Sequence, residues 1–184
     1  MVGLPRLVWH VPLQDCSGGL TMYVDTDFGG CQTTRRSTSG GIALRGKHPI
    51  KHWSTTQTTI ALSSGEAELG GICCGASFAL GLQSLARDLG IPLKLHLYTD
   101  ATAAIGICRR RGLGNIRHLH VSDLWVQDRL KRGDFTLPKI AGADNPADLL
   151  TKHVSRELMV KHMAAMGIYG ESGRAGSAPT LVHS

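Results

Sequence analysis

A change of hydrophobic period near residue 63 most restricts what this chain can fold into. Before it, residue types and turn signals indicate strands at residues 20–24, 40–44 and 50–56, and their short links predict an antiparallel meander. At residue 63, Ser63-Ser-Gly-Glu66 has the form of a capping box, whose serine and glutamate satisfy amides of a first helical turn. We therefore expect a helix that begins there and ends near residue 89.

Strands and helices alternate in the rest of the chain. The pattern predicts strands at residues 93–99 and 135–140, and helices at residues 101–111, at 121–131, from Asn145-Pro146 onward, and from Ser155 to near Gly167. This order favours an α/β domain with one mixed sheet and helices on its faces. A length of 184 residues suits a single domain. We place it at residues 20–168, after a lead-in segment at residues 1–19, and expect a disordered tail at residues 169–184.

Excess positive charge favours an anionic partner. The chain has 20 Lys and Arg against 14 Asp and Glu, a formal net charge of +6, which suits nucleic acid. The five cysteines are odd in number and form no Cys-x-x-Cys pair, which argues against a disulfide framework and a thiolate zinc site. No apolar stretch approaches the ~20 residues of a membrane span, and we find no secretory signal. We expect an intracellular protein, in the cytoplasm or nucleus, with no membrane partner.

Four acidic residues stand at equivalent places in the predicted elements. Asp25 ends the first predicted strand and Asp100 the fourth, while Glu68 and Asp148 lie in the first turns of helices. Strand ends and helix starts of an open α/β sheet face one crevice, so these carboxylates are candidates for a shared site. Divalent cations would neutralise such a cluster, and all-oxygen ligands select Mg²⁺ or Mn²⁺. Each residue could instead only cap a helix or complement its dipole.

Other charged residues have a structural and a functional interpretation. Asp27 fits an Asx turn, and the capping box accounts for Glu66. The basic clusters could contact phosphates or could simply be solvated, as at a helix end matched to its dipole. They are Arg35 and Arg36, then Arg109, Arg110 and Arg111, then Arg117 and His118.

Six motifs, taken in order, resemble the ribonuclease H domain of copia-type retrotransposon polyproteins. They are Tyr23-Val-Asp-Thr-Asp-Phe-Gly-Gly, Arg36-Ser-Thr-Ser-Gly-Gly, Ala61-Leu-Ser-Ser-Gly-Glu-Ala-Glu-Leu, Tyr98-Thr-Asp, Arg117-His-Leu and Asn145-Pro-Ala-Asp-Leu-Leu-Thr-Lys. The resemblance covers residues 20–153. The third and the last motif are the most specific of the six.

The resemblance implies a fold, a reaction and a site. The implied fold is a five-stranded mixed sheet of strand order 3-2-1-4-5 flanked by helices. The implied reaction is endonucleolytic hydrolysis of the RNA strand of RNA–DNA hybrids, leaving 5′-phosphomonoesters. By motif, the catalytic and metal-binding carboxylates fall on Asp25, Glu68, Asp100 and Asp148, which would hold two Mg²⁺ ions, with Mn²⁺ as a substitute. Glu68 is preferred to Glu66 because Glu68-Leu-Gly-Gly matches the family's helix pattern.

The resemblance also implies partners and leaves two rival interpretations. The expected partners are an RNA–DNA hybrid and a reverse transcriptase domain of the same polyprotein, of which this chain would be a fragment or a degenerate remnant. Cellular ribonucleases H carry a loop histidine where residues 141–144 read Ala-Gly-Ala-Asp, which predicts slower turnover. One rival is a catalytically inactive nucleic-acid-binding module of a degenerate element. The other is a different nuclease or an integrase of the same fold.

Overall fold

The computed structural model of the chain describes residues 6–14, 19–112, 114 and 121–173. Its strands are β1 (Arg6–Trp9), β2 (Leu20–Thr26), β3 (Thr38–Arg45), β4 (His48–Thr56), β5 (Leu95–Tyr98) and β6 (Ile168–Glu171). Its α-helices are α1 (Ser64–Asp88), α2 (Thr102–Arg109), α3 (Trp125–Arg132) and α4 (Arg156–Ala165).

The main sheet contains the predicted meander. β2, β3 and β4 pair antiparallel in sequence order, and β5 joins β2 in parallel, giving the order β4-β3-β2-β5. Between β3 and β4 the chain turns at Gly46, whose φ of +60° is a conformation that glycine adopts without steric cost. The sheet is therefore mixed, as the sequence predicts.

The fifth predicted strand, at residues 135–140, is not regular. It lies parallel to β5 through two isolated bridges, His96 with Thr136 and Thr99 with Lys139. The Thr136 amide donates to the Leu95 carbonyl at 3.0 Å and the Ile140 amide to the Thr99 carbonyl at 3.0 Å. Pro138 stands between them, and because proline has no N–H the ladder lacks its middle bond.

Helix α1 packs directly on β2. A Cβ at Gly71 would lie 2.3 Å from Thr26 Oγ1, and a Cβ at Gly75 would lie 2.4 Å from Val24 Cγ1. These glycines, which weaken an isolated helix, therefore permit close approach of helix and sheet. By length and composition alone α1 could cross a membrane, contrary to the sequence expectation. Its apolar residues Leu69 and Ile72 are buried in the core, which accounts for that composition.

A second small sheet joins the two ends of the described chain. β1 pairs antiparallel with β6, with Arg6 opposite Glu171 and Trp9 opposite Ile168. β1 lies in the predicted lead-in segment and β6 continues past residue 168, the predicted end of the domain, so the expectation of a disordered tail is wrong for residues 169–171. Of the rest of that predicted tail, residues 172 and 173 belong to no strand or helix, and residues 174–184 lie outside the described residues.

Two predicted helices differ in form. The helix predicted from Asn145-Pro146 is a 3-10 helix at Pro146–Leu150, and the one predicted from residue 121 begins as a 3-10 helix at Val121–Leu124 before α3. The last helix agrees more closely, because the Ser155 hydroxyl accepts the Leu158 amide at 3.2 Å as an N-cap.

Candidate metal centre

The register of two parallel strands brings Asp25 and Asp100 together. Tyr23 on β2 pairs with Tyr98 on β5, and each aspartate stands two residues further along its strand direction. Side chains two residues apart lie on the same face of a sheet, so the two carboxylates leave the sheet edge side by side. Asp25 is buried and Asp100 is half-buried.

Helix α1 brings Glu68 to the same place. Ser63 caps the helix by accepting the Glu66 amide at 3.2 Å, and the Glu66 carboxylate accepts the Leu62 amide at 2.7 Å. The Glu66 carboxylate is thus bound at the helix cap. It accepts the amide of the residue before the N-cap, whereas in a standard capping box it accepts the N-cap amide itself. One carboxylate oxygen from each of Asp25, Glu68 and Asp100 lies within 4.8 Å of the others. The structure therefore brings Glu68, and not Glu66, to the cluster.

Asp148 reaches the site from a 3-10 helix held by Asn145. The buried Asn145 side-chain amide donates to the Val24 carbonyl on β2 at 3.0 Å, and its Oδ1 accepts the Ala147 amide at 3.2 Å. Asp148 is itself buried, yet it is not one of the three residues whose oxygens lie within 4.8 Å. Asp148 is linked to the cluster by a lysine that contacts both Asp148 and Asp25.

That lysine, Lys152, and its neighbour Thr151 were missed by the sequence analysis. Lys152 Nζ lies 3.0 Å from Asp148 Oδ1 and 3.6 Å from Asp25 Oδ2. The Thr151 hydroxyl donates to Asp25 Oδ2. The i, i+4 spacing of Asp148 and Lys152 was the available signal, since such residues are neighbours on a helical surface.

Burial and mutual repulsion shift the ionisation of the centre. Burial, followed by the negative charges of Asp25 and Asp100, raises the pKa of Glu68 from 4.5 to about 8. Burial likewise raises the pKa of Asp148, against the opposing hydrogen bond from Lys152. For Lys152, burial lowers the pKa, but the hydrogen bond to Asp148 and the charge of Asp25 outweigh it and the net shift is upward. Lys152 and Asp148 therefore favour each other's charged form, whereas the neighbouring carboxylates disfavour each other's ionisation.

The donor set fits a hard divalent cation. The three closest groups are all carboxylates, and one buried oxygen of Glu68, Oε2, has no hydrogen-bond partner among the described residues. A cation would satisfy that oxygen and would remove the repulsion that raises the pKa of Glu68. Oxygen ligands without His or Cys suit Mg²⁺ or Mn²⁺ better than zinc.

The remaining predicted residues lie around this centre. The Asp27 carboxylate accepts the Thr38 amide across the start of β3, so its role is structural, although it does not form the predicted local Asx turn. Arg35 and Arg36 lie in the loop at residues 27–37, which leaves β2 just after Asp25. Arg35 has a φ of +57°.

The second arginine cluster lies at the far end of α2. This helix begins next to Asp100 and rises about 1.5 Å per residue, so its last residue, Arg109, stands roughly 12 Å along it. The Arg109 guanidinium donates to the Leu137 carbonyl at 3.0 Å. Arg110 and Arg111 line a cavity of about 670 Å³ between α2 and α3. Arg117 and His118 lie outside the described residues.

Curated relatives of the chain are transposon polyproteins. The retrovirus-related Pol polyprotein from transposon RE1 of Arabidopsis thaliana is 28% identical over 152 residues, which cover 81% of this chain. The one from transposon TNT 1-94 of Nicotiana tabacum is 29% identical over 147 residues, which cover 77% of it. The chain spans about a tenth of the length of these polyproteins. No family model matches the chain.

Solved structures of ribonuclease H domains share the fold. The N-terminal RNase H domain of a Mycobacterium tuberculosis protein, solved as a fusion with maltose-binding protein, matches with a TM-score of 0.50 and 15% identity, covering 81% of this chain and 99% of that chain. An RNase H1 isolated from compost by a metagenomic approach matches with a TM-score of 0.51 and 11% identity, covering 73% and 93%. The fold is therefore RNase H-like, which confirms the fold class that the resemblance implies.

Proposed function

We propose that the chain is a metal-dependent ribonuclease H domain of a copia-type retrotransposon polyprotein. The observation that carries the proposal is the convergence of Asp25, Glu68 and Asp100, one oxygen of each within 4.8 Å of the others, from three separate elements. The transposon polyprotein relatives and the RNase H-like fold support it from outside the site.

Each carboxylate has a distinct part in this proposal. Buried Asp25 would hold two Mg²⁺ ions together with Glu68, Asp100 and Asp148. Ions held there would supply an activated water and would stabilise the charge that develops on the leaving 3′-oxygen. Asn145 positions Asp148 by fastening its turn to β2. Glu68 also contacts the ribose 2′-hydroxyl, the group that distinguishes RNA from DNA.

The substrate of the proposed enzyme is an RNA–DNA hybrid, and its partner is a reverse transcriptase domain of the same polyprotein. The net charge of +6 supports binding through phosphates, which is independent of sequence. The arginines at residues 35, 36, 109, 110 and 111 are candidates for those contacts, and all of them except half-buried Arg110 are exposed. We place the reaction inside the cell, in the cytoplasm or nucleus.

A cleavage assay tests the proposal directly. Purified protein is incubated with a hybrid whose RNA strand is labelled, in Mg²⁺ or in a chelator, beside single-stranded RNA and double-stranded RNA of the same sequence. We expect cleavage of the hybrid alone, and only with the ion. Asp25→Asn protein, which keeps the side-chain shape, is the matched control for contaminating nucleases. Hybrid binding without ion-dependent cleavage would instead identify an inactive nucleic-acid-binding module.

A further inference from the structure

Lys152 places an ammonium group inside the acidic centre. Its Nζ contacts Asp148 Oδ1 at 3.0 Å and Asp25 Oδ2 at 3.6 Å, while both carboxylates are almost wholly buried. The other ion pairs found within the described ranges involve acidic residues outside the centre. Among the described residues, Lys152 is therefore the basic residue that pairs with Asp25 and Asp148.

The lysine is held in a way that lets its ammonium group leave. Its backbone amide donates to the Asp148 carbonyl at 3.2 Å, at the end of the 3-10 helix. Its side chain is 46% exposed, against 3% for Asp25 and 8% for Asp148. Rotation about its four-carbon stem can carry the ammonium into solvent, while the aspartates stay fixed by the sheet and by Asn145.

A divalent cation and this ammonium cannot occupy the same side of the centre. The two charges repel strongly at contact distance where the surroundings are only partly solvated. We propose that Lys152 is an internal counter-ion, which neutralises Asp25 and Asp148 in the ion-free protein and is displaced when a divalent cation binds between them. This inference rests on the proposed function, because it takes the centre to be a metal site.

Chemical labelling of the unaltered protein tests the displacement. The protein is acetylated briefly with and without Mn²⁺, and the modification of each lysine is measured by peptide mass spectrometry. We expect acetylation of Lys152 to rise several-fold with Mn²⁺. Lys161 is the internal control, because it is similarly exposed and pairs at 2.6 Å with Asp144, which is not one of the carboxylates of the centre. Unchanged or reduced labelling of Lys152 would overturn the inference.

Substitutions test the competition. Mn²⁺ binding is measured by calorimetry, and thermal unfolding is followed with Mn²⁺ or with a chelator. Lys152→Gln should bind Mn²⁺ roughly tenfold more tightly than the unaltered protein, because a repelling charge is gone. It should also unfold at a lower temperature in chelator. Lys152→Arg keeps the charge and should restore weaker binding, and Lys161→Gln should match the unaltered protein.

The outcomes separate this inference from the proposed function. Equal Mn²⁺ affinity in the unaltered protein and Lys152→Gln, with hybrid cleavage intact, would overturn the role of Lys152 alone. Displacement of Lys152 by Mn²⁺ in a protein that never cleaves a hybrid would support that role and overturn the enzyme. Absence of Mn²⁺ binding in both proteins would overturn both proposals.

Discussion

At the scale of single residues, Glu68 is the most informative member of the centre. It is half-buried and lies beside two other carboxylates, and its Oε2 has no hydrogen-bond partner in the part of the chain that the structure describes. Its raised pKa means that the ion-free native protein keeps this group protonated at neutral pH. Cation binding must therefore displace a proton from Glu68, which makes the affinity rise with pH.

The stability of the ion-free protein should depend on pH through Glu68. Its pKa is about 8 when folded and 4.5 as an ordinary glutamate, so its contribution is full below pH 4.5 and is lost as pH rises through about 8. We expect the free energy of unfolding to fall over this range relative to Glu68→Gln, which cannot ionise. Urea unfolding of both proteins in chelator at several pH values measures the difference, and parallel pH profiles would contradict it.

Neutral substitutions of the carboxylates should abolish hydrolysis and preserve the fold. Asp25→Asn and Asp100→Asn each remove one charged ligand, and we expect losses of about 100-fold or more in hybrid cleavage, since each 1.4 kcal/mol is about tenfold. Circular dichroism checks that each variant is folded. Cleavage at the unaltered rate by either variant would remove that aspartate from the site.

The two neighbouring glutamates should behave differently. Glu68→Gln should lose hydrolysis, whereas Glu66→Gln should keep it and lose less than about 1 kcal/mol of stability, because Glu66 only accepts the Leu62 amide at the helix cap. The same hybrid assay compares them. The reverse order of activity would show that Glu66 is the ligand.

At the scale of elements, the sequence signals that predicted an element correctly lie within a few neighbouring residues. The features that were not predicted depend on contacts between residues far apart in the chain. Alternating strands, the Ser63 cap and the Ser155 cap are read within a few residues, and all are present. The irregular segment at residues 135–140 depends on where Pro138 falls relative to β5, which sequence spacing does not reveal. Lys152 was missed for a similar reason, since its contact with Asp25 needs the tertiary fold.

Glycines within α1 should differ in their tolerance of alanine. Gly75→Ala places a methyl group 2.4 Å from Val24 Cγ1 and should destabilise the protein by about 1–3 kcal/mol. Gly81 has nothing within 4 Å of the same position, so Gly81→Ala should stabilise the helix by up to about 1 kcal/mol. Urea unfolding measures both, and equal effects would mean that α1 does not pack closely on β2.

At the scale of the whole molecule, an acidic centre is embedded in a protein of net charge +6. Substrate phosphates would be attracted by the surrounding surface, while the centre itself repels them until cations are bound. Of the basic residues predicted to contact phosphates, Arg110 and Arg111 follow the end of α2 that is farther from the centre, and they line one cavity. These two arginines are therefore the first candidates to test for phosphate contacts.

Hybrid binding should depend on salt and little on sequence. With roughly three phosphate contacts, the slope of log K against log salt should be near −3, and the double variant Arg110→Ala, Arg111→Ala should flatten it to about −1. The double variant Arg87→Ala, Lys94→Ala removes the same charge and is the matched control. Arg87 lies near the end of α1 and Lys94 lies just before the start of β5, in each case at the end of the element that is farther from the centre. An unchanged slope in the first variant would make Arg35 and Arg36 the next candidates for the phosphate contacts.

The pairing of β1 with β6 imposes a delay on a chain that is being synthesised. Arg6 and Glu171 are 165 positions apart, so at about 5–20 residues per second the partner of β1 emerges roughly 8 to 33 s later. In that interval Leu7 and Trp9, exposed even in the finished protein, have no β6 beside them. The meander of β2, β3 and β4 can pair within a few seconds of leaving the ribosome, so β1 is synthesised before these three strands and is secured after them.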